Sequence, residues 1–246
     1  MKILGLIGCG AIGTLIIQAI EKDTIPCEKL ILFDIDVGRA EKLASSIHTP
    51  VHVVRNLEGM LRLNPYVIVE AASQDAVKEY ARIILDSNIH LVVMSVGALL
   101  DMDLSSKQLH FSSGAIGGLD AIATAELAGA TEICLTTRKN PTTLNLYNKS
   151  EETVFVGGPR EAIARFPREM NVAAVLALTA KDSKINVQVI SDPKVKKNVH
   201  EIKVSWKHGE MFLRFSNDPH PSNPKTSALA AWSAVRLLRE LLKNDP

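Results

Sequence analysis

The stretch Gly8-Cys9-Gly10-Ala11-Ile12-Gly13 follows an apolar run at residues 2–7 and opens a helical stretch at about residues 12–22. A Gly-x-Gly-x-x-Gly turn between a strand and a helix is typical of sites that hold the pyrophosphate of a dinucleotide. Gly8 permits the tight turn, Gly10 lets the pyrophosphate approach the backbone, and Gly13 lets the helix pack closely on the strand. The alternative is a packing turn without a cofactor.

The residues around this turn extend the prediction of a nucleotide site. The N–H groups of Ala11 and Ile12 lie at the helix N-terminus, where they can bind phosphate oxygens. Asp34 ends the second predicted strand and is placed to accept hydrogen bonds from the adenosine ribose hydroxyls. A carboxylate there repels a 2′-phosphate and so favours NAD, whereas nearby Arg39 leaves NADP open.

Apolar periodicity predicts an α/β fold. In the first half, nearly continuous apolar runs alternate with helical stretches, which indicates a parallel sheet covered on both faces; the predicted strands are residues 2–7, 29–33, 51–54, 66–69 and 90–94, and the helices 12–22, 37–46 and 73–86. The second half has more polar, alternating strands, predicted at residues 131–137, 153–156, 185–190, 199–206 and 211–215, with helices at 117–127, 172–180 and 226–243.

These patterns predict two domains and a returning helix. Residues 1–110 are expected to form a Rossmann-type dinucleotide-binding domain, and residues 111–224 a smaller α+β domain with a mixed sheet for substrate and dimer contacts. Residues 225–246 are expected to form a helix that packs back toward the N-terminal domain.

Composition excludes several classes of protein. The 246 residues are 46% hydrophobic and 22% charged with a net charge of +1, which argues against a nucleic-acid or membrane-surface partner. The three cysteines, Cys9, Cys27 and Cys134, are isolated, so neither a disulfide framework nor a metal site is expected. We find no signal peptide or membrane span, and a cytoplasmic location is expected.

Two further turns follow predicted strands. Ala72 and Ser73 come after the fourth strand, and Ser95 and Val96 after the fifth. Ligands of open parallel sheets bind beyond the carboxyl ends of the strands, and small residues there leave room for a nicotinamide and its ribose. The alternative for each is an ordinary strand-to-helix turn.

The chain also carries seven segments that resemble the L-aspartate dehydrogenase family over nearly its whole length: GCGAIG, VEAAS, SVGAL, SGAIGGLDA, FPREMNVAAVLAL, NVHEI and NPKTSALAAWS. The resemblance implies a Rossmann domain joined to an α/β domain whose sheet supports the substrate and often a homodimer contact. It implies oxidation of L-aspartate to iminoaspartate with NAD or NADP. It also implies a supply of iminoaspartate to quinolinate synthase in NAD biosynthesis.

The resemblance also implies roles for individual residues. The catalytic histidine of its Asn-x-His motif falls on His200, and its nicotinamide-side contacts fall on Ala115 and Asn171. From the residues alone, His200 and His220 are equally good candidates for the histidine that accepts a proton from the substrate amine. Asn171 has a helix-capping alternative.

A substrate with two carboxylates needs hydrogen-bond donors. Backbone N–H groups of the turn with Ser113, Gly114 and Gly117 can form an anion nest. Lys225, Thr226 and Ser227 open the last helix and can offer an ammonium, hydroxyls and the helix dipole, although helix capping is the alternative. The run Arg138-Lys139-Asn140 is interpreted as a solvated charge cluster, with contact to the substrate as the alternative.

Two other functions stay open. The first is another dehydrogenase or reductase with the same domain plan, similar to homoserine dehydrogenase or dihydrodipicolinate reductase. The second is a non-catalytic sensor that binds NADH and regulates a partner.

Overall fold

The computed structural model describes residues 2–129, 132–220 and 223–243, apart from the side chains of residue 220 and residues 223–226. The chain divides into two compact units. The first ends at Ser112 and resumes at Ala231, and the second spans Ser113–Ala230. The expected boundaries lay after residues 110 and 224, so the second unit starts and ends slightly later in the chain than expected.

The first unit is built on a six-stranded parallel sheet in the order β3-β2-β1-β4-β5-β6. Its strands are β1 (Ile3–Ile7), β2 (Lys29–Phe33), β3 (Val51–Val53), β4 (Val67–Glu70), β5 (His90–Val93) and β6 (Leu109–Phe111). Every residue of β1 is buried because helices cover both faces of a doubly wound sheet. This strand order is that of a Rossmann domain, which confirms the predicted α/β class.

Four helices connect these strands: α1 (Ala11–Glu21), α2 (Val37–Ala44), α3 (Leu57–Leu61) and α4 (Gln74–Asp86); a 3₁₀ turn covers Val96–Asp101. The predicted cap is confirmed at α4, where the Ser73 hydroxyl accepts a hydrogen bond from the Ala76 N–H. The sequence did not predict α3 or β6, because five-residue and three-residue elements are too short to show a period.

The second unit is built on a five-stranded mixed sheet in the order β11-β10-β7-β9-β8. Its strands are β7 (Glu132–Lys139), β8 (Glu152–Gly157), β9 (Lys184–Ser191), β10 (Asn198–Trp206) and β11 (Gly209–Asn217). Only β7 and β9 pair in parallel, and the other neighbours in this sheet pair antiparallel. The predicted mixed sheet is therefore confirmed. A short ribbon follows it, formed by β12 (Pro219–His220) and β13 (Asn223–Ser227).

The second unit also contains α5 (Leu119–Leu127), α6 (Pro159–Arg165) and α7 (Asn171–Thr179), with a 3₁₀ turn at Pro141–Leu144. The helix predicted from residue 117 begins at Leu119, because Gly118 has a φ of +71°, which is incompatible with a right-handed helix. The seven-residue α6 was not predicted.

The last helix, α8 (Ala228–Lys243), begins two positions after its predicted start, because Ser227 is still paired in the β12–β13 ribbon. Its Ala234, Val235, Leu238 and Leu242 belong to the core of the first unit, together with Leu4 and Leu6 of β1. The predicted return of this helix to the N-terminal domain is confirmed. Among the described residues, no helix is long and apolar enough to cross a bilayer.

Candidate functional site

The glycine turn connects β1 to α1, and two of its glycines are required by the surrounding backbone. Gly8 has a φ of +97°, and a Cβ on it would lie 2.7 Å from the carbonyl carbon of Ala71. A Cβ on Gly13 would collide with the carbonyl oxygen of Gly8. The crossing of α1 over β1 therefore depends on both glycines.

Gly10 has a different environment. Among the described residues, none places a heavy atom within 4 Å of a Cβ built on Gly10. Gly10 precedes the first turn of α1, where Ala11, Ile12 and Gly13 carry N–H groups that have no acceptor within the helix. An open space faced by helix N–H groups fits a pyrophosphate, so these residues are suited to hold a dinucleotide.

Asp34 lies immediately after β2 and is only 6% exposed. Its Oδ2 accepts a hydrogen bond of 2.8 Å from the N–H of Cys9, and its Oδ1 accepts one of 2.9 Å from the N–H of Asp36. The carboxylate thus supports the glycine turn directly, a role that the sequence did not predict. Its contact with a ribose stays a prediction.

Arg39, in the first turn of α2, lies beside this carboxylate. Its Nη1 is 3.7 Å from Oδ2 of Asp34, its Nη2 is 3.6 Å from Oδ2 of Asp36, and its side chain is 54% exposed. An exposed guanidinium in this position can meet a 2′-phosphate as well as a 2′-hydroxyl, so the choice between NAD and NADP stays open.

Glu70, the last residue of β4, connects the two turns that were predicted to adjoin the nicotinamide. Its Oε1 accepts hydrogen bonds from the N–H groups of Ala72 and Ser73, at 2.8 Å each, and from the Ser95 hydroxyl at 3.0 Å. Its Oε2 accepts one of 3.0 Å from the N–H of Ser95. Burial raises the pKa of Glu70, and these hydrogen bonds act in the opposite direction. Glu70 was not among the predicted site residues.

The substitution Glu70→Gln is expected to loosen both turns. An amide presents an NH₂ group where the carboxylate accepts hydrogen bonds, so at least one buried donor loses its partner, at a cost of about 1–3 kcal/mol. Urea unfolding should show this loss, and NADH titration should show weaker binding. The control Glu58→Gln changes a carboxylate that is 70% exposed and should stay within about 0.5 kcal/mol of the parent protein. Equal stability of Glu70→Gln and the parent would contradict the role of Glu70.

The structure brings the predicted residues of these two turns together around Glu70, but these residues differ in their exposure to solvent. Ala72 and Ser73 are exposed, and Ser95 is half-buried with both its N–H and hydroxyl engaged by Glu70. Val96 is 2% exposed. Val96 therefore offers a ligand far less surface than the other three.

His200 lies on the buried face of the second unit's sheet and is 1% exposed. It pairs with Thr137 on β7 and with Phe215 on β11. Its Nδ1 lies 3.0 Å from the Oγ1 of Thr137. Burial, and next the charge of Lys139, lower the pKa of His200 to about 3. The imidazole is therefore neutral at neutral pH.

Lys139 corrects the interpretation of residues 138–140 as a solvated charge cluster. Lys139 is only 2% exposed, since it ends β7 on the same face as Thr137 and the buried Ile133 and Leu135. Arg138 points to the opposite face, where its Nη1 contacts Glu151 at 2.5 Å and Asp192 at 3.0 Å. A buried lysine beside a buried histidine is a functional candidate, which favours the substrate-contact alternative for Lys139.

Ser227, predicted to bind substrate, lies beside this group. It is 4% exposed, and its Oγ accepts a hydrogen bond of 3.3 Å from Nδ2 of Asn198. Asn198 precedes His200 by two positions on the same face of β10 and is itself 2% exposed. The side chains of Lys225, Thr226 and the rival histidine, His220, lie outside the described residues.

The turn that follows Ser112 holds four predicted residues. Gly114 has a φ of +65°, Ser113 and Gly117 are half-buried, and Ala115 is 6% exposed. The carbonyl of Ala115 accepts a hydrogen bond of 2.9 Å from Nδ2 of Asn217. This bond ties the turn to the end of β11.

Asn171 is the first residue of α7 and is half-buried. The residue at the cap position is Met170, which makes no side-chain capping bond. The capping alternative for Asn171 is therefore wrong.

A pH dependence follows from the buried His200. The unfolded chain takes up a proton near the ordinary pKa of 6.5, whereas the folded protein does so only near 3. The stabilising effect of a neutral His200 is therefore present above about pH 6.5 and is lost as the pH falls toward 3. In urea unfolding below pH 6.5, the parent should lose up to about 1.4 kcal/mol per pH unit more than His200→Gln. Parallel pH profiles would contradict this assignment.

Among the described residues, no cluster of three or more His, Cys, Asp or Glu side chains can hold a metal ion.

Comparison with known proteins assigns both units. Residues 8–112 match the family described as homoserine dehydrogenase, NAD binding domain, and residues 120–241 match the family described as aspartate dehydrogenase, C-terminal. The first match concerns the cofactor unit, which different dehydrogenases share. The second concerns the unit that contains His200 and thereby disfavours the homoserine dehydrogenase alternative.

Relatives match the chain over nearly its whole length. L-Aspartate dehydrogenase of Archaeoglobus fulgidus is 40% identical over 97% of both chains. The enzyme of Methanothermobacter thermautotrophicus is 37% identical over 99% of this chain and 97% of its own. The crystal structure of aspartate dehydrogenase from Thermotoga maritima, 27% identical, superposes with a TM-score of 0.74 over 100% of this chain and 98% of that one. The chain therefore belongs to the L-aspartate dehydrogenase family.

Proposed function

We propose that this protein is an NAD(P)-dependent L-aspartate dehydrogenase. L-Aspartate, NAD(P)⁺ and water would give oxaloacetate, ammonia, NAD(P)H and a proton, with iminoaspartate as the first product. The observation that carries this proposal is full-length similarity to L-aspartate dehydrogenases, at 37–40% identity. A buried, neutral histidine in the second unit supplies the acid–base group that such a reaction needs.

In this proposal the first unit holds the cofactor. When bound, NAD(P)⁺ would supply the acceptor for the hydride that leaves C2 of the amino acid. The pyrophosphate is held by the glycine turn at Gly8, Gly10, Ala11, Ile12 and Gly13, and the ribose by Asp34. The open space at Gly10 supports this placement.

Six residues are assigned to the nicotinamide and its ribose. Ala72, Ser73, Ser95 and Val96 form the two turns that Glu70 holds together. Ala115 and Asn171 are also assigned to the nicotinamide.

His200 is proposed as the general base. The amine of the substrate must be neutral before its lone pair can form the C=N bond, and a neutral imidazole can accept the proton that it releases. Because Thr137 occupies Nδ1, the proton exchange is assigned to Nε2. Once Nε2 has released that proton to solvent, the same nitrogen can activate the water that attacks the imine in the second half of the reaction.

The carboxylates of the substrate are assigned to two groups of donors. The first is the turn with Ser113, Gly114 and Gly117, where the positive φ of Gly114 is compatible with an anion nest. The second is Lys225, Thr226 and Ser227, of which Ser227 lies beside Asn198 near His200.

The cellular context is also proposed. The protein acts as a cytoplasmic homodimer that supplies iminoaspartate to quinolinate synthase for pyridine nucleotide biosynthesis. The three free cysteines are consistent with a reducing compartment. A dimer contact would cover the exposed face of the second sheet, where Phe212 is 64% exposed.

A panel of amino acids, assayed with NAD and with NADP across pH, tests this function. L-Aspartate should give the strongest increase in absorbance of the reduced nicotinamide. If aspartate gives no increase with either cofactor at saturation, the assigned substrate is wrong. A protein that binds NADH but oxidises no amino acid in the panel would be the sensor described above.

A further inference from the structure

We infer that the ammonium group of Lys139 binds a carboxylate of the substrate beside His200. This inference rests on the proposed function, because it takes the substrate to be an amino dicarboxylate. It selects Lys139 from the run at residues 138–140, for which contact with the substrate was the less favoured interpretation.

The position of Lys139 on β7 supports this role. Side chains alternate along a strand, so Thr137 and Lys139 share one face of β7 and lie roughly 7 Å apart. Thr137 contacts Nδ1 of His200 on the neighbouring strand. Lys139 pairs with Ser191 on β9, and Ser191 is fully buried. Lys139, Thr137, His200, Asn198, Ser191 and Ser227 form a group of buried polar side chains, which we call the polar end of the sheet.

The burial of Lys139 supports this role. Among the described residues, Lys139 is the only Lys or Arg with a buried side chain. Lysine is almost never fully buried without a charged or hydrogen-bonding partner, and its burial costs stability. A buried cation next to the candidate base therefore suggests a role in binding an anion. Lys139 also has interactions within the protein, and the three donors of an ammonium group can serve these and a carboxylate together.

The neighbouring cations of the sheet are less suited to this role than Lys139. Arg138 is adjacent in sequence, but it lies on the other face of β7, and Glu151 and Asp192 already accept its hydrogen bonds. Its charge is thus compensated, and it faces away from His200. Lys203, on β10, also belongs to the opposite face and is 62% exposed.

An electrostatic interaction connects Lys139 with His200. The charge of Lys139 contributes to the low pKa of His200, so the two groups interact in the folded protein. A carboxylate bound to Lys139 would compensate this charge and make His200 a better proton acceptor when substrate is present. Binding of the substrate and activation of the base would then be coupled through one residue.

The test uses Lys139→Met, Lys139→Arg and the control Lys203→Met in the full chain. Succinate, a dicarboxylate that lacks the reacting amine, is titrated by calorimetry, and KM for L-aspartate is measured in parallel. Loss of a charge-assisted hydrogen bond should weaken succinate binding and raise KM by about 10–100-fold in Lys139→Met. Lys139→Arg should recover part of the loss, and Lys203→Met should stay within about twofold of the parent.

The outcomes separate this inference from the proposed function. If the parent oxidises aspartate and Lys139→Met keeps its KM and succinate affinity, the inference is wrong and the function stands. If the parent binds succinate through Lys139 but oxidises no aspartate, the function is wrong and the inference stands. If the parent neither oxidises aspartate nor binds succinate, both are wrong. NADH titration and far-UV circular dichroism show whether Lys139→Met remains folded.

Discussion

The substitution His200→Ala is expected to lower kcat for L-aspartate oxidation by about 10²–10⁴-fold. His200 is the proposed acceptor of the amine proton, and water cannot easily replace it, because the residue is 1% exposed. NADH affinity should change little, since the proposed pyrophosphate contacts belong to the first unit. Stopped-flow measurement of NADH formation, together with NADH titration, separates the two effects.

Further variants are needed to interpret this result. His208→Ala changes an exposed histidine in the turn between β10 and β11, and its kcat should stay within about twofold of the parent. Near-normal kcat in His200→Ala would remove His200 from the proposed chemistry, and His220→Ala would then be measured next. Thr137→Val removes the hydrogen bond to Nδ1 and should cause a smaller loss than His200→Ala, because the ring remains in place.

The substitution Gly10→Val is expected to weaken NADH binding by about 100-fold while the protein still folds. Gly10 has a φ of −79°, which any residue can adopt, and the space around its Cβ position is open among the described residues. A branched side chain would fill the space assigned to the pyrophosphate, and steric conflict of this kind costs about 1–3 kcal/mol. Fluorescence titration with NADH and urea unfolding give the two quantities.

Gly13→Ala is the matched comparison within the same turn. Its new methyl group would meet the carbonyl oxygen of Gly8, so we expect lower stability as well as weaker binding. Gly10→Val with unchanged NADH affinity would show that the pyrophosphate does not pass over Gly10. Gly10→Val with a large loss of stability would instead indicate a packing turn.

The sequence predicted the α/β fold well because its signals are local and repeated. The apolar strands around the glycine turn indicated a parallel sheet, and the alternation of Ile202, Val204 and Trp206 indicated a strand with one covered face. Short elements such as α3 and β6 gave no period to detect. The start of α8 was misplaced because Ser227 pairs with Pro219 in the β12–β13 ribbon, a pairing that helix propensity does not show.

Some candidate site residues belong to motifs that the sequence shows, whereas others emerge only from three-dimensional packing. Lys139 looked solvated beside Arg138, yet continuing the alternation of Ile133 and Leu135 through Thr137 would have placed it on the buried face. Glu70 offered a weaker signal, an acidic residue at the end of an apolar strand. Its four hydrogen bonds depend on the paths of two turns that no local pattern specifies.

The discontinuity of the first unit has a consequence for how the protein acquires its structure on the ribosome. Leu238 and Leu242 complete a core that begins with Leu4 and Leu6, although more than two hundred residues separate them in synthesis. The core around the nucleotide-binding sheet therefore stays incomplete, with part of its apolar surface uncovered, until α8 has been synthesised. The second unit is encoded as one uninterrupted segment, so it can finish folding first, and a nascent chain should become competent to bind NADH only after α8 has left the ribosome.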